Sequence, residues 1–402
     1  MRYTSSALAI AALCACANET DVTRPTEPNA KVASQISYHV VKYSASLGGT
    51  QNRGLAINNQ GWVAGFSNLT GDGTRHAALW QNGTITDLKT LGGPSSTVPW
   101  PGLNNNGMIV GISQTADVDP LDEDWSCEAG GFLPNATNLT CRGFWWENGV
   151  MHELPTLGGT HGFATGVNGR GQIVGWAETS VHDPTCVGVQ VLQFRAVMWE
   201  PKKGTKQELP PLHDDSASAA TAINDSGQAV GISGACDQAV GRFSARHAVL
   251  WDHGTVTEIP NLGGTTWHTP MFINERGDVV GFSNPPGPGD PQGDFIAHAF
   301  LWIKGSAKAQ DLGTLDDDVL AEAFAINARG QVVGISFGGS FGPRAFIYED
   351  GALENLNDLA DAAPDVLLSA QDINDAGVIT GRIRDAASGN VLMFVATPVS
   401  GH

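Results

Sequence analysis

Apolar residues along this chain come in short runs that are broken by turns containing Asn and Gly, with little helical periodicity. The clearest unit of this kind is Ile57–Gly65, read as INNQGWVAG. Six further copies begin at Leu103, Val167, Ile223, Ile273, Ile326 and Ile373. Every copy keeps an Asn, a Gly three residues later and a second Gly four residues after that. A fixed repeat of this length predicts a repeat architecture.

The Asn and the first Gly of each copy have the positions that a tight turn requires. Asn at the first corner of a β-turn bonds its own backbone two residues on, and Gly is favoured at the fourth corner. Asn58 to Gly61 is therefore predicted to join two antiparallel strands. The second Gly, as at Gly65, ends the second strand or lets a neighbouring backbone approach. A ring of ligand-binding amides is the alternative role for the Asn residues, but the placement of Gly favours the turn.

A second pattern follows most copies and predicts a second hairpin. In the segment that begins at His76 (HAALWQNG, then Thr84 to Leu88), apolar and aromatic residues alternate around a Gly-containing turn. It recurs from Arg142, Arg195, His247, His298 and Arg344. One unit is thus four short strands in a meander, and the repeat Asn residues are spaced like the blades of a propeller.

The two ends of the array complete each other. The seventh unit has its first hairpin and a third strand at 391–397, but the chain then offers no fourth strand, whereas 37–43 reads as a strand without a unit ahead of it. Pairing these two segments would remove both unpaired edges. The sequence therefore predicts an all-β fold: a seven-bladed β-propeller of four-stranded antiparallel blades, occupying 36–402 and closed by the N-terminal strand.

These units resemble the HAF repeat family of exported bacterial proteins, whose signature stands here as His298-Ala299-Phe300. The segments NLNDLAD and LMFVATPV also resemble the way such chains end, and the resemblance covers roughly 47–399. It implies export and a propeller-like array, and it implies no activity. Arg142, Arg195 and Arg344 replace the His, which argues against histidine chemistry around the whole ring. For these basic residues we expect a bond to a carboxylate or carbonyl of an adjacent blade.

The N-terminal segment is typical of an export signal. Arg2, an apolar run from Ala7 and small residues make 1–17 a signal peptide. Leu13-Cys14-Ala15-Cys16 resembles a lipobox that would lipidate Cys16, while Ala15-Cys16-Ala17 also fits ordinary cleavage. Residues 18–35 are polar and read as a flexible linker. We expect an exported protein, either anchored at the outer membrane, periplasmic or extracellular.

The composition excludes several functions. A formal charge of −19 argues against binding to nucleic acid or to anionic membrane surfaces. The chain carries no signature of a catalytic triad, a zinc protease, a phosphate-binding loop or a dinucleotide fold, and no catalytic residue is assigned. We expect a monomer whose partner is a polysaccharide or a protein.

The longer connections predict where a ligand would bind, because loops on a rigid scaffold carry function. In each meander the first and third connections are tight turns, and the second and fourth, which share the other face, are long. The candidate binding residues on that face are Arg53, Trp100, His161, His213, Asp214, Trp267, His268, Asp317 and Asp318. Trp and His beside carboxylates can bind a sugar or hold a metal. The alternative is that Trp100 and Trp267 fill the central channel.

Two other sets of residues belong to the long connections. Asp117, Asp119, Asp122 and Asp124 are hard oxygen ligands that could bind calcium, although their spacing is not that of an EF-hand and a solvated acidic loop is favoured. Export permits disulfides. Cys127 pairs within its loop with Cys141, and Cys186 with Cys236 in the equivalent loop of the next blade, since only this pairing keeps each partner within reach.

The function that these observations favour is a non-catalytic binding or interaction module of the cell envelope. The alternative is a propeller enzyme, such as a metal-assisted polysaccharide lyase that would use His161, His213 and His268. That alternative requires the three histidines to converge on one point.

Overall fold

The computed structural model describes residues 37–123, 133–134, 137–237 and 241–399. Over these residues the chain forms seven four-stranded antiparallel sheets arranged as the blades of a propeller. The predicted fold is confirmed. The signal segment, the linker and Cys16 lie outside the described residues. Within the described ranges, no helix has the length and apolar character needed to cross a membrane.

Each blade contributes one strand to each of four concentric layers. The innermost strands are β2 (Gly48–Ile57), β6 (Gly92–Thr97), β10 (Gly158–Val167), β14 (Ala217–Ile223), β18 (Thr269–Ile273), β22 (Leu320–Ile326) and β26 (Val366–Ile373). The second strands are β3 (Val63–Leu69), β7 (Ile109–Val118), β11 (Ile173–His182), β15 (Ala229–Gly234), β19 (Val279–Ser283), β23 (Val332–Phe337) and β27 (Ile379–Arg384).

The third strands are β4 (Arg75–Gln81), β8 (Leu139–Glu147), β12 (Leu192–Glu200), β16 (His247–Asp252), β20 (His298–Trp302), β24 (Arg344–Glu349) and β28 (Val391–Val399). The outermost strands are β5 (Thr84–Asp87), β9 (Val150–Glu153), β13 (Thr205–Leu209), β17 (Thr255–Ile259), β21 (Gln310–Gly313), β25 (Ala352–Asn355) and β1 (Ser37–Tyr43). A short helix, α1 (Leu356–Leu359), follows β25, and 3-10 turns occupy Pro201–Lys203 and Asp290–Gln292.

The N-terminal strand closes the ring. β1 pairs antiparallel with β28 from Ser37 opposite Val399 to Tyr43 opposite Met393, so the seventh blade is built from both ends of the array. Tyr38 is 2% exposed and packs into the apolar cluster between the last two blades. The pairing predicted from the two incomplete ends is therefore present.

The repeat Asn residues form the predicted turns and also join the blades. Asn58 Oδ1 accepts hydrogen bonds from the backbone N–H groups of Gln60 and Trp62, both at 3.0 Å. Its Nδ2 donates to the carbonyl oxygen of Asn104 in the next blade at 3.2 Å. The same bond from side chain to carbonyl recurs at the other six junctions, at 2.8–3.4 Å. These amides are buried structural groups, which supports the turn interpretation.

The second Gly of each repeat lies inside its strand and does not end it. A Cβ atom at Gly65 would approach the carbonyl oxygen of Arg53 to 1.9 Å. The corresponding distance is 1.9–2.2 Å at the other six positions, in each case to a carbonyl oxygen of the innermost strand. Most of the innermost strands shift register next to this contact. Of the two roles that the sequence left open, close backbone approach is the one observed.

In five of the six blades whose second hairpin begins with a basic residue, that residue pairs within its own blade. His76 Nδ1 lies 2.8 Å from Asp87 on the outermost strand, and Arg142 Nε lies 3.1 Å from Glu153. Equivalent pairs form in the next three blades. For these five residues the expectation of a partner in an adjacent blade is wrong, because the third strand places the side chain beside the outermost strand of the same sheet.

Candidate ligand-binding site

The two faces of the ring differ in their connections. The turns that link first to second strands, and third to outermost strands, are short and make one face, which we call the lower face. The opposite, upper face carries the connections between second and third strands, including 119–138, 183–191, 235–246 and 284–297. The longer loops, which are the connections best suited to carry a ligand site, are therefore concentrated on the upper face.

The upper loops of neighbouring blades are fixed to one another. Glu123 Oε1, from the second blade, accepts hydrogen bonds from Val191 N at 2.6 Å and Leu192 N at 2.5 Å in the third blade. Cys186 and Cys236 join the third and fourth blades through a disulfide, as predicted. His268 N donates to the Ala245 carbonyl at 2.8 Å, joining the fifth blade to the fourth. We call this linked set of loops, from the second to the fifth blade, the upper rim.

The other predicted disulfide is only partly described. Cys141 is disulfide-bonded and buried. Its predicted partner Cys127 lies outside the described residues, so the pairing of Cys127 with Cys141 stays a prediction.

Trp100 is buried against the wall of the channel. It is 5% exposed, and its ring meets those of Phe163 at 5.4 Å and Trp176 at 6.0 Å, both edge to face. These rings belong to an apolar cluster that runs from the second to the fifth blade. Such contacts are those of a packing residue, as in the channel-filling interpretation.

Trp267 belongs to the upper rim and is only partly buried. Its Nε1–H donates to the Gly293 carbonyl at 3.1 Å, and its ring meets Phe295 edge to face at 5.3 Å. Its backbone has a left-handed φ of 61°. These contacts fix the ring to the long loop of its own blade.

His161 links the second and third blades. It is 2% exposed, its Nδ1 accepts from Cys141 N–H at 3.1 Å, and its Nε2 lies 3.3 Å from Asp119 Oδ2. Burial lowers the pKa of His161, but the nearby carboxylates of Asp119, Glu178 and Glu123 outweigh burial and leave it raised. Nδ1 is thus hydrogen-bonded, whereas Nε2 lies beside the Asp119 carboxylate without a hydrogen bond.

His268 is also committed to internal contacts. It is 1% exposed, with Nδ1 at 2.8 Å from Ser283 Oγ and Nε2 at 3.2 Å from the Gly264 carbonyl. Burial lowers its pKa to about 4, so the ring is neutral at pH 7. His213 and Asp214, in the preceding connection, are exposed.

The two neighbouring aspartates predicted for the site differ in burial. Asp318 is 5% exposed and accepts a hydrogen bond from Arg344 Nη2 at 2.8 Å, whereas Asp317 faces solvent and bonds Ser340. The outermost strand of this blade has Asn355 where those of the first five blades have a carboxylate. Arg344 therefore turns to Asp318 and to Asp316.

Among the described residues, the histidines predicted for a metal site do not form one. Within the described residues, the single group of three potential ligands that lie within 4.8 Å of one another is Asp183, Cys186 and Cys236, and its sulfurs form the disulfide. His161, His213 and His268 are all described, and they do not converge. This removes the geometric basis for the metal-dependent enzyme.

The aspartates proposed for calcium differ in burial. Asp119 is buried and bonds the backbone of Leu121 and Glu123, whereas Asp117 and Asp122 are exposed. Asp124 lies outside the described residues, so the site stays a prediction.

The channel wall also contains a charged arc that the sequence analysis identified only at Arg53. Arg53 on β2, Glu322 on β22 and Arg382 on β27 belong to the same level of the ring, because Arg53 pairs with Phe66, Glu322 with Ile335 and Ser369 with Arg382. Burial lowers the pKa of Arg53, and the charges of Arg382 and Arg75 lower it further. These arginines are therefore close enough to repel one another.

Glu322 is the carboxylate of this arc. It is 4% exposed, and burial raises its pKa to about 7 despite the opposing charge of Arg382. The residues of the arc stand out when the seven repeats are aligned. The residue after the second Gly is apolar in six copies and is Arg382 in the seventh, and the residue five positions before the Asn is charged only at Arg53 and Glu322.

The lower opening of the channel has the opposite character. The residue after each repeat Asn is Asp225, Glu275 or Asp375 in three of the blades. All three residues are exposed to solvent. Partial desolvation of the Glu275 carboxylate, and the nearby charges of Asp225 and Asp375, raise the pKa of Glu275. The channel is thus acidic at its lower end and basic on one side of its upper part.

Comparisons with known proteins show propeller-containing structures of low identity. No protein-family model matches the chain, and no curated protein matches it. An acylaminoacyl peptidase from Pyrococcus horikoshii is 10% identical, with 87% of this chain and 52% of the peptidase covered and a TM-score of 0.44. The chain spans about half the length of the peptidases it matches.

Two further solved structures are similar over nearly their whole length. An oligogalacturonate lyase from Vibrio parahaemolyticus is 11% identical, with 90% of this chain and 96% of the lyase covered and a TM-score of 0.45. A protein of unknown function from Dyadobacter fermentans is 11% identical, with 90% and 99% covered and a TM-score of 0.40. At these values the matches carry no argument about ligand or activity.

Proposed function

We propose that this protein is an exported, non-catalytic binding module of the HAF repeat type that binds a polysaccharide at the upper face of its propeller. The upper rim supports this proposal best. A disulfide and backbone hydrogen bonds fix loops from successive blades to one another around the channel. Loops fixed in this way are preorganised, so little conformational entropy is lost when a ligand binds.

Binding without catalysis is favoured by the state of the candidate catalytic groups. The buried histidines, His161 and His268, have both ring nitrogens in contact with protein groups, and His213 lies apart from them. A general base must reach its substrate within hydrogen-bond distance. His268 has both nitrogens in contact with protein oxygens, and His161 is only 2% exposed, so neither imidazole is accessible to a substrate.

Export is proposed on the signal pattern of 1–17, and a lipid anchor at Cys16 would place the propeller at the outer membrane. Fractionation of cells that make the full chain tests both. A Cys16→Ser variant should move from the membrane fraction to the soluble periplasm or medium if Cys16 is lipidated. If the variant is found in the same fraction as the wild-type protein, ordinary cleavage of the signal peptide would be supported instead.

A glycan array probed with the purified protein tests the binding function. We expect retention of at least one class of polysaccharide, recovered with its chain length unchanged and with no transition metal in elemental analysis of the protein. A shortened glycan would establish an enzyme instead. Failure to bind any glycan, together with capture of an envelope protein, would replace the polysaccharide with a protein ligand.

The rim itself can be tested with a variant that lacks the disulfide. Cys186→Ser/Cys236→Ser should weaken retention on the array, while a matched Ser340→Ala change outside the rim should not. Equal retention by all three proteins would place the binding surface elsewhere.

A further inference from the structure

The charged arc of the channel wall has more positive than negative charge. Arg53 and Arg382 share this arc with one carboxylate, Glu322, in a chain whose formal net charge is −19. Among the described residues, no carboxylate lies within ion-pair distance of Arg53 or Arg382. Arginine side chains inside an acidic protein normally have a carboxylate partner, because an unpaired buried charge is costly.

The two channel arginines retain hydrogen-bonding capacity. Arg53 Nε is buried and has no hydrogen-bond partner among the described residues, and Arg382 Nε donates to Ser369 Oγ at 2.8 Å. Both residues are half-buried. A guanidinium offers five donors in a planar fork.

Phe66 holds the arginines of the first blade in place. The Arg53 guanidinium carbon lies 5.4 Å from the centre of this ring, and that of Arg75 lies 4.1 Å from it. Phe66 is 2% exposed, so the ring is fixed by the core. Arginine stacked on a fixed aromatic ring loses little further freedom when it binds an anion.

We propose that Arg53 and Arg382 bind the carboxylate of an acidic sugar at the upper part of the channel. The inference rests on the proposed function, and it names the class of polysaccharide: a polymer that contains uronic acid residues.

The charge of the arc matches a carboxylate better than a phosphate. Arg53 and Arg382 together carry two positive charges, and Glu322 offsets one of them when it is ionised. One remaining positive charge balances a monoanion, whereas a phosphate monoester carries about −1.5 to −2 at pH 7. Planar guanidinium groups also match the two oxygens of a carboxylate.

The rest of the channel favours a sugar that enters from above. Phe324 lies on β22 two residues after Glu322 and is partly exposed beside the apolar cluster, so it offers a face for a sugar ring. At the lower opening, Asp225, Glu275 and Asp375 would repel an anion. A carboxylate-bearing chain therefore reaches the arginines through the upper mouth.

Isothermal titration with a glucuronate-containing oligosaccharide tests the inference, with the neutral glucose oligosaccharide as the matched ligand. Wild-type protein should bind the acidic form at least about tenfold more tightly. Arg53→Gln and Arg382→Gln should each lose about tenfold or more of that affinity. Arg384→Gln is the control, because Arg384 lies on the same strand as Arg382 but is exposed.

Lysine variants separate a loss of charge from a loss of fold. Arg382→Lys keeps the charge and should retain part of the affinity, and circular dichroism of every variant should show a wild-type spectrum. If Arg382→Gln unfolds, Arg53→Gln and Arg53→Lys give the same comparison on another blade.

The outcomes distinguish this inference from the proposed function. Equal affinity for acidic and neutral oligosaccharides, or unchanged affinity in both Gln variants, would overturn the inference and leave the binding function standing. Tighter binding of inorganic phosphate or of an oligoglutamate peptide than of glucuronate would also overturn it. Failure of every glycan to bind would overturn both.

Discussion

Asn374 Nδ2 donates a hydrogen bond of 3.1 Å to the carbonyl oxygen of Asn58, across 316 residues of sequence. This bond joins the seventh blade to the first and completes a cycle in which each repeat Asn bonds the next. Asp372 strengthens the same junction, because its Oδ2 accepts from Ile57 N at 2.7 Å. The ring is thus closed near its axis by side chains and at its outer edge by β1.

Breaking one bond of the Asn cycle should destabilise the fold. Asn104→Ala removes the donor to the Asn168 carbonyl and the acceptor for two backbone N–H groups, all in a buried turn. Leaving such groups unsatisfied costs roughly 1–3 kcal/mol. Urea denaturation should show this loss, whereas Asn106→Ala, an exposed change in the same turn, should cost less. Equal losses in the two variants would contradict a special role for the cycle.

Removing β1 should open the seventh blade. Deletion of 37–46 takes away the ladder to β28 and the buried ring of Tyr38. We expect a loss of several kcal/mol, a large part of a typical stability of roughly 5–15 kcal/mol. The melting temperature measures it, with a deletion of equal length inside 18–35 as the control. If both deletions melt like the full chain, closure by β1 contributes nothing to stability.

The stability should fall as the pH rises through neutrality. Burial raises the pKa of Glu322 from 4.5 to about 7, so the folded protein keeps a proton that the unfolded chain has already lost. This contribution is fully present below about pH 4.5 and is lost as the pH rises through about 7. It is worth on the order of 3 kcal/mol.

Glu322→Gln should remove that part of the pH dependence, as measured by urea denaturation between pH 4.5 and 8. Asp372, whose pKa burial also raises to about 7, accounts for what remains. Glu153→Gln, on an exposed outermost strand, should leave the slope unchanged. If Glu322→Gln kept the wild-type dependence of stability on pH, another group would be responsible for that dependence.

The disulfide of the upper rim should contribute measurably to stability. Cys186 and Cys236 are 50 residues apart, and closing a loop of that length is worth about 4 kcal/mol in the chain-entropy model. Cys186→Ser/Cys236→Ser should therefore melt at a lower temperature than the oxidised protein. Peptides mapped without reduction should contain the 186–236 link. Free thiols at both positions would contradict the structure.

The repeat made most of the fold predictable. The spacing of Asn and two Gly residues fixes where each turn lies, and the incomplete units at the two ends indicate how the ring closes. The hydrogen bond from each Asn to the next blade was not predictable in the same way. It depends on the distance between blades, which no local pattern encodes.

The candidate site was predictable only in outline. Long connections on one face could be read from the sequence, and Arg53 was among the residues chosen. Trp100, His161 and His268 were chosen by residue type, and burial gives them structural contacts. Arg382 and Glu322 were not predictable from the repeat pattern, because each is an exception to what the seven copies share.

The pairing of β1 with β28 also sets an order of events during synthesis. Ser37 leaves the ribosome long before its partner Val399 exists, so the first strand of the propeller must wait for the last one. Until β28 is made, β1 has no strand to pair with, and its backbone hydrogen-bonding groups are open to other chains. Completion of the ring therefore requires that β28 has been made, and a chain that stops before β28 leaves β1 without its partner strand.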